Sequence, residues 1–339
     1  MTVRNERLPG PPPGGAGRRY EVVVVGGGAA GLSGALTLAR ARRSVLVVDS
    51  GRPRNAPADG VHGYLGRDGT PPSELTAAGR AEVARHGGEI TAGTVTAAER
   101  LDGGGFRLAL DDGTAVLADR LLVATGLADE LPDVPGVARR WGRDVLHCPY
   151  CHGWEVRDRA IGVLATGPLA VHQALLWRQW SADVTLFRHT GPEPGDREYE
   201  RLAARGVAVV DGEVTGLEVS GDRLTGVRLA GGRTVPCQAL VVAPRFTARA
   251  GLLAGLGLET AELSRGGHVV GERVAADATG ATAVPGVWVA GDVTDLAGQV
   301  VGAAAAGVRA AAAINADLVE EETDRAVAAR GALGREVLR

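Results

Sequence analysis

The sequence predicts an α/β fold of two Rossmann-like nucleotide-binding domains, the second inserted in the first, and three observations predict it. An apolar, β-branched run from Tyr20 to Val25 ends in Gly26-Gly27-Gly28-Ala29-Ala30-Gly31; a helical pattern follows to about Arg42, and a second run from Ser44 to Val48 closes on Asp49. The same order of strand, helix and strand recurs from Ala160 onward. A last strand, Gly286 to Ala290, has no counterpart in the second repeat and is assigned back to the first domain.

A length of 339 residues suits two modest domains, and 45% hydrophobic with 23% charged residues excludes a disordered or collagen-like chain. The 40 acidic residues face 37 basic ones, all of them Arg, and the net charge of -3 leaves no strong field for polyanions, so nucleic acid is not an expected partner. Three cysteines are too few for a disulfide framework, which points to a cytoplasmic setting and to a catalytic or metal-binding role for any cysteine pair. The first nineteen residues, with Gly10-Pro11-Pro12-Pro13-Gly14-Gly15, lack the apolar core of a signal peptide and read as a disordered arm. Val300 to Leu318 is mostly Ala and contains Arg309, Asn315 and Asp317, so no membrane partner is expected.

In chain order, the strand, glycine turn, helix, strand and terminal Asp49 make a βαβ unit with parallel strands. A helix from about Ser73 to Arg85 comes next, then a small antiparallel meander with turns at Asp102-Gly103-Gly104-Gly105 and Asp111-Asp112-Gly113, then the apolar strand Leu121 to Ala124. The second repeat has a strand at Ala160 to Leu164, a helix from about Pro168 to Trp180, a strand at Val184 to Phe187 and a helix near Arg197 to Arg205. Its own meander runs from Gly212 to Pro244, where Leu240-Val241-Val242-Ala243 echoes Leu121-Leu122-Val123-Ala124. The expected division is an arm at 1–19, a discontinuous first domain at 20–126 and 248–325, an inserted domain at 127–247, and a tail at 326–339.

Gly26, Gly28 and Gly31 follow a strand and open a helix, with an acid about twenty residues on, the context that makes G-x-G-x-x-G a dinucleotide signal. Gly26 permits the tight turn, Gly28 lets backbone approach a pyrophosphate, Gly31 allows close helix-strand packing, and Asp49 is placed for ribose hydroxyls. Ala124-Thr125-Gly126 and Gly291-Asp292 each put small residues after a strand, where backbone can approach a bound dinucleotide. From Tyr20 to Leu318 the chain resembles the two-domain flavoprotein disulfide reductases of the thioredoxin reductase type, with ββα-type Rossmann-like domains. The resemblance implies FAD as cofactor, held in part by those two turns, with Asp292 on the ribityl chain and Gln299-Val300 beside the isoalloxazine. It also implies a homodimer. Asn55 reads as a turn residue making local hydrogen bonds.

Cys148-Pro149-Tyr150-Cys151-His152 is the sharpest feature, since a C-x-x-C pair can close a small disulfide with a reactive thiolate. C-x-x-C-H is also a haem attachment pattern, but no export signal accompanies it. Zinc could enlist His147, Cys148, Cys151 and His152, yet four ligands within six residues depart from the usual separated pairs, and no metal is expected. A glutaredoxin carries Cys-Pro-Tyr-Cys near the start of a short thioredoxin fold, whereas here it lies just ahead of a second βαβ unit. That location favours a flavin-linked redox pair. By resemblance Cys151 is the flavin-proximal sulfur, Cys148 exchanges with substrate, and His152 takes the place of the usual acid as proton shuttle. Cys237, alone on a meander strand, reads as a small buried hydrophobe.

The second glycine turn departs from the family pattern. It reads Ala165-Thr166-Gly167-Pro168-Leu169-Ala170, with the first glycine missing and Pro168 removing an N–H where a pyrophosphate would seek donors. Arg188-His189 then leads into Thr190-Gly191-Pro192-Glu193-Pro194-Gly195-Asp196 in place of an arginine-rich 2′-phosphate site. Together with Cys148 to Glu155 reading Cys-Pro-Tyr-Cys-His-Gly-Trp-Glu, this resembles the thioredoxin reductase-like dithiol oxidases of disulfide natural-product pathways, which act on dithiolopyrrolones or gliotoxin-type compounds. The resemblance implies that a small-molecule dithiol becomes an intramolecular disulfide while O2 is reduced to hydrogen peroxide. Two alternatives stay open: a thioredoxin reductase using NADPH or another donor, and a redox sensor whose disulfide switches without turnover.

Overall fold

The computed structural model describes residues 18–336, so expectations for residues 1–17 and 337–339 lie outside the described residues. The first repeat builds β1 (Arg19–Val25), α1 (Ala29–Arg40), β2 (Val45–Asp49), α2 (Pro72–Arg85), β3 (Glu89–Ala92), β4 (Val95–Arg100), β5 (Phe106–Leu110) and β6 (Ala115–Val123). β1 pairs in parallel with β2 and β6, and β2 with β3. From Val22 to Val25 the central strand β1 is continuously apolar, because both its faces are covered there. Val23 and Val25 enter one core cluster with Phe106, Leu108 and Leu253, while Val22 and Val24 enter another with Leu32, Ala35, Leu38, Ile314 and Leu318. The last meander strand and the apolar run from Leu121 form one continuous strand rather than two. β6 pairs antiparallel with β5 over Ala115 to Ala118 and then continues as a parallel strand of the main sheet.

A crossing strand, β7 (Leu127–Glu130), and a short α3 (Val137–Arg140) lead to β8 (Val145–Leu146) and α4 (Pro149–His152), which carries the cysteine pair. The second repeat follows as β9 (Ile161–Leu164), α5 (Ala170–Trp177), β10 (Val184–Phe187), α6 (Asp196–Ala204), β11 (Ala208–Val210), β12 (Val214–Ser220), β13 (Arg223–Leu229), β14 (Thr234–Pro236) and β15 (Ala239–Val241). The parallel strands lie in the order β11-β10-β9-β15-β8, and here the meander β12-β13-β14 is a sheet of its own. β8 is held from below by Arg140, whose guanidinium binds the Asp144 carboxylate and, at 2.7 Å, Asp222 in the β12–β13 turn. The Asp144 carboxylate also accepts the Leu224 N–H at 2.9 Å. Arg140 and Asp144 are buried while Asp222 closes the cluster from the surface, and together they fix the segment that delivers Cys148.

The chain returns through β16 (Arg245–Ala248), which runs antiparallel to β7 and pairs Ala248 with Leu127, so the two crossings between repeats lie side by side. A 3₁₀ turn (Gly251–Leu256), the hairpin β17 (Thr260–Arg265) and β18 (His268–Val274), then β19 (Val287–Val289) and α7 (Val300–Glu336) complete it. β19 joins β6 in parallel. The last strand does have a counterpart in the second repeat: β8 pairs in parallel with β15 as β19 does with β6, but β8 precedes its repeat in sequence. α7 continues through Glu336, so residues 326–336 of the expected tail are helical. The Arg43 guanidinium binds Glu322 and the Arg120 guanidinium binds Asp317 and Glu321, holding that helix against the first sheet beyond its apolar stretch. Among the described residues no helix is long and apolar enough to cross a membrane.

Candidate functional site

A cavity of about 670 Å³ opens at the C-terminal ends of β1, β6 and β19 and extends to the cysteine pair. That is the place where open parallel sheets bind ligands, and the volume is that of a cofactor site. Its lining brings together Gly26, Gly27, Gly28, Ala29, Ala30, Asp49, Ala124, Thr125, Gly126, Cys148, Cys151, His152, Gly291, Asp292, Gln299 and Val300. Of the residues the sequence nominated, Gly31 alone is absent from the wall. It packs one layer below, where a Cβ would run into the Gly26 carbonyl oxygen.

Gly26 has φ of +105°, which L side chains rarely adopt, and a Cβ there would strike the Ala124 carbonyl. Above Gly28 nothing lies within 4 Å, so the backbone facing the cavity is bare. No side chain caps α1, which leaves its first amides for an anion in the cavity. Asp49 accepts the Gly51 N–H at 3.2 Å and an Arg80 guanidinium N–H. Burial alone would raise its carboxyl pKa, but Arg80 and the Gly51 and Gly27 amides outweigh it and hold the pKa below the ordinary carboxylate range. The Thr125 hydroxyl donates to the Arg249 carbonyl at 2.7 Å and ties the Thr-Gly turn to the returning chain.

Asp292, at the end of β19, does not stand alone. The Arg54 guanidinium donates to it at 2.9 Å and grips Asp129 of β7 through two bonds, at 2.9 and 2.6 Å. Burial pushes the Asp292 carboxyl up, against the pull of Arg54. Its neighbour Asn55 lines the cavity as well.

Cys148 and Cys151 are joined in a disulfide with their Cα atoms 5.3 Å apart. Cys148 stands at the start of α4, and the Cys151 and His152 amides both donate to its carbonyl. Gly153 must be small, because a Cβ there would sit 2.7 Å from the Trp180 indole nitrogen. His152 faces the cavity with its pKa lowered, first by burial, against a raising influence of Glu155 and with His62 adding to the depression. Neutral at neutral pH, it is ready to accept a proton. His147 is the histidine the sequence weighed only as a metal ligand. It lies between Trp141 and Phe246, at 6.0 and 5.5 Å between ring centroids, and burial and then Arg54 lower its pKa to about 4. His62 stands 3.5 Å from carboxylate oxygens of both Asp68 and Glu155, linking the loop before α2 to the segment after the disulfide.

Residues 20–311 match the family described as pyridine nucleotide-disulphide oxidoreductase. The chain belongs to that family. It is 30% identical to thioredoxin reductase sirT of Leptosphaeria maculans, across 84% of this chain and 90% of that one. Thioredoxin reductase tcpT of Claviceps purpurea is 39% identical over 47% of this chain, and the match spans about half, 52%, of the fungal protein. Aspergillus oryzae thioredoxin reductase aclD, at 34% identity, is likewise spanned over 55% of its length. The crystal structure of HlmI superposes with a TM-score of 0.85 at 50% identity, covering 91% of this chain and 96% of that one. Thioredoxin reductase-like members of the family bind FAD, and the bare backbone over Gly28, the uncapped α1 and Asp49 fit that cofactor.

The second half of this oxidoreductase has the same wiring and a different turn. Ala165 donates to Phe187 at 2.9 Å as Gly26 does to Val48 at 2.8 Å, so Ala165 occupies the position of Gly26. α1 starts at Ala29, three residues after Gly26, whereas α5 starts at Ala170, five after Ala165. Pro168 thus precedes the helix that was expected to begin with it. Arg188, in the position of Asp49, is paired with Glu193 and, at 3.2 Å, with Asp211.

Arg54, Asp129, His62, Arg80 and Phe246 were missed from sequence, because none lies in a motif and each reaches the site across the fold. Only Arg54 left a local trace, as the neighbour of Asn55.

Proposed function

We propose that the chain is an FAD-dependent dithiol oxidase, closing an intramolecular disulfide in a small-molecule dithiol such as a dithiolopyrrolone, with O2 reduced to hydrogen peroxide. The observation that carries this reading is the asymmetry between the two nucleotide turns. The flavin turn keeps its glycines and helix start, while the turn that would take NADPH has Ala165, a delayed helix and an Arg188 already neutralised by two carboxylates. Electrons then enter from a dithiol rather than from a nicotinamide.

A substrate thiolate attacks the Cys148 sulfur; the Cys148–Cys151 bond breaks, and Cys151 leaves as the thiolate. The second substrate thiolate attacks the substrate sulfur of the mixed disulfide, forming the ring disulfide and releasing Cys148. Two electrons and two protons have left the substrate. His152, its pKa lowered by burial, takes a proton from an incoming thiol and delivers it to a departing thiolate. Bound FAD supplies the two-electron acceptor that restores the protein disulfide and passes the electrons to O2. A homodimer is part of the proposal, as is a cytoplasmic setting.

An anaerobic titration of the yellow protein tests it, with NADPH in one cuvette and a small dithiol in the other before air is admitted. Bleaching by the dithiol alone, reversed by air with peroxide formed, is the expected result. The names of the fungal relatives favour a second reading, a thioredoxin reductase, and bleaching by NADPH would overturn the oxidase in its favour.

A further inference from the structure

Arg54 has no place in the motifs above, yet it joins three separate parts of the chain. It leaves the loop after β2, clasps Asp129 on the crossing strand β7 and reaches Asp292 beyond β19. The three side chains are 20, 7 and 20% exposed, so a charge left alone among them would be buried and unpaired. The guanidinium carbon also lies 5.3 Å from the centroid of Phe246 on β16, whose ring meets His147 edge-on, and His147 adjoins Cys148. Arg54 itself lines the cavity.

We propose that Arg54 is a positioning residue for the flavin site, holding Asp292 ionised and aimed so that its free carboxylate oxygen accepts a cofactor hydroxyl. The charge balance explains why a cation is needed. Asp292 faces Arg54, Asp129 and Asp295; burial and both carboxylates favour its neutral form, and Arg54 is the influence that opposes them. The bidentate clasp on Asp129 fixes the plane of the guanidinium, so its third donor points at Asp292 along one direction. The same cation adds to burial in keeping His147 neutral, with Asp129 opposing and His152 assisting.

The test is FAD binding to apo-protein, followed by flavin fluorescence from about pH 6 to about pH 8. It needs no substrate, so it does not share its failure with the oxidase reading. Arg54→Met with Asp129→Asn removes a cation and a carboxylate together, so the net charge of the trio is unchanged while Asp292 loses its cationic partner. That double variant is expected to bind FAD ~10- to 100-fold more weakly, the weight of a charge-assisted hydrogen bond, with the loss deepening as pH falls. Arg54→Lys is expected to keep the wild-type pH profile while losing part of the affinity. A flat pH profile in the double variant, whatever the size of its loss, would mean that Arg54 only braces the fold and would overturn the proposal.

Discussion

The two halves of the molecule share their strand order and hydrogen-bond wiring, and they differ at single atoms. After β1 the chain turns through Gly26 at φ +105° straight into α1; after β9 it passes Ala165, Gly167 and Pro168 before α5 begins. The contrast extends to the strands. β6 runs unbroken from meander to parallel sheet, whereas the second repeat interrupts the same path at Cys237-Gln238, between β14 and β15. Cys237 is buried there against Gly162, where a Cβ would come within 2.9 Å of its sulfur, and burial pushes its thiol up to about 12. Topology is therefore shared by both halves, while ligand capacity is set by turn chemistry: which residues carry a Cβ, and where the helix amides start.

The largest expected effect concerns the segment where the halves meet. Cys148→Ser should leave the protein yellow and lower dithiol oxidation by ~10³-fold or more, as removal of a covalent nucleophile does; retained turnover in an oxygen-electrode assay would sink the exchange mechanism. Next, Gly26→Ala should strip the flavin, since its Cβ meets the Ala124 carbonyl, while Ala165→Gly at the matching position leaves the flavin absorbance untouched. A smaller, constructive effect is expected from Ala165→Gly combined with Glu193→Gln and Asp211→Asn, which returns the first glycine of the turn and frees Arg188 from both carboxylates. Anaerobic bleaching by NADPH should then quicken ~10-fold or less, the weight of one recovered contact, and no gain would mean that α5, not the turn, excludes the nicotinamide.

The smallest effect is on stability. His147 titrates at 6.5 ordinarily and at about 4 when folded. Between those values the unfolded chain binds a proton that the folded one refuses, so stability is full above pH 6.5 and falls as pH drops towards 4. His147→Phe should flatten this limb, read as a smaller shift of the urea midpoint between about pH 7 and about pH 5. An unchanged shift would place the acid sensitivity at His152, which burial also depresses.

Much of this was legible before the fold was known. The glycine turn, Asp49, both small-residue strand ends and the cysteine pair are contiguous signals, since each motif involves backbone or immediate neighbours, and the cavity wall gathers all of them. His152 was legible too, but only as a departure from the family's usual acid. Gly31, nominated with the cofactor turn, lies beneath the wall against the Gly26 carbonyl, as close helix-strand packing requires. The single strand that carries the meander into the parallel sheet and the counterpart of the last strand were not legible, because strand continuation and the pairing of β8 with β15 are long-range facts.

The sequence by itself determined the α/β order, the intact first glycine turn, the altered second turn and the position of the C-x-x-C pair between them. These depend on local conformation, on where a Cβ or an N–H is present, which neighbouring residues settle. Only the tertiary structure decided that Arg54 joins Asp129 to Asp292, that His62 stands beside Glu155, and that His147 is held neutral between two aromatic rings. Ionic state and side-chain aim depend on burial and on charges brought from distant segments, and those exist only once the chain has closed around them.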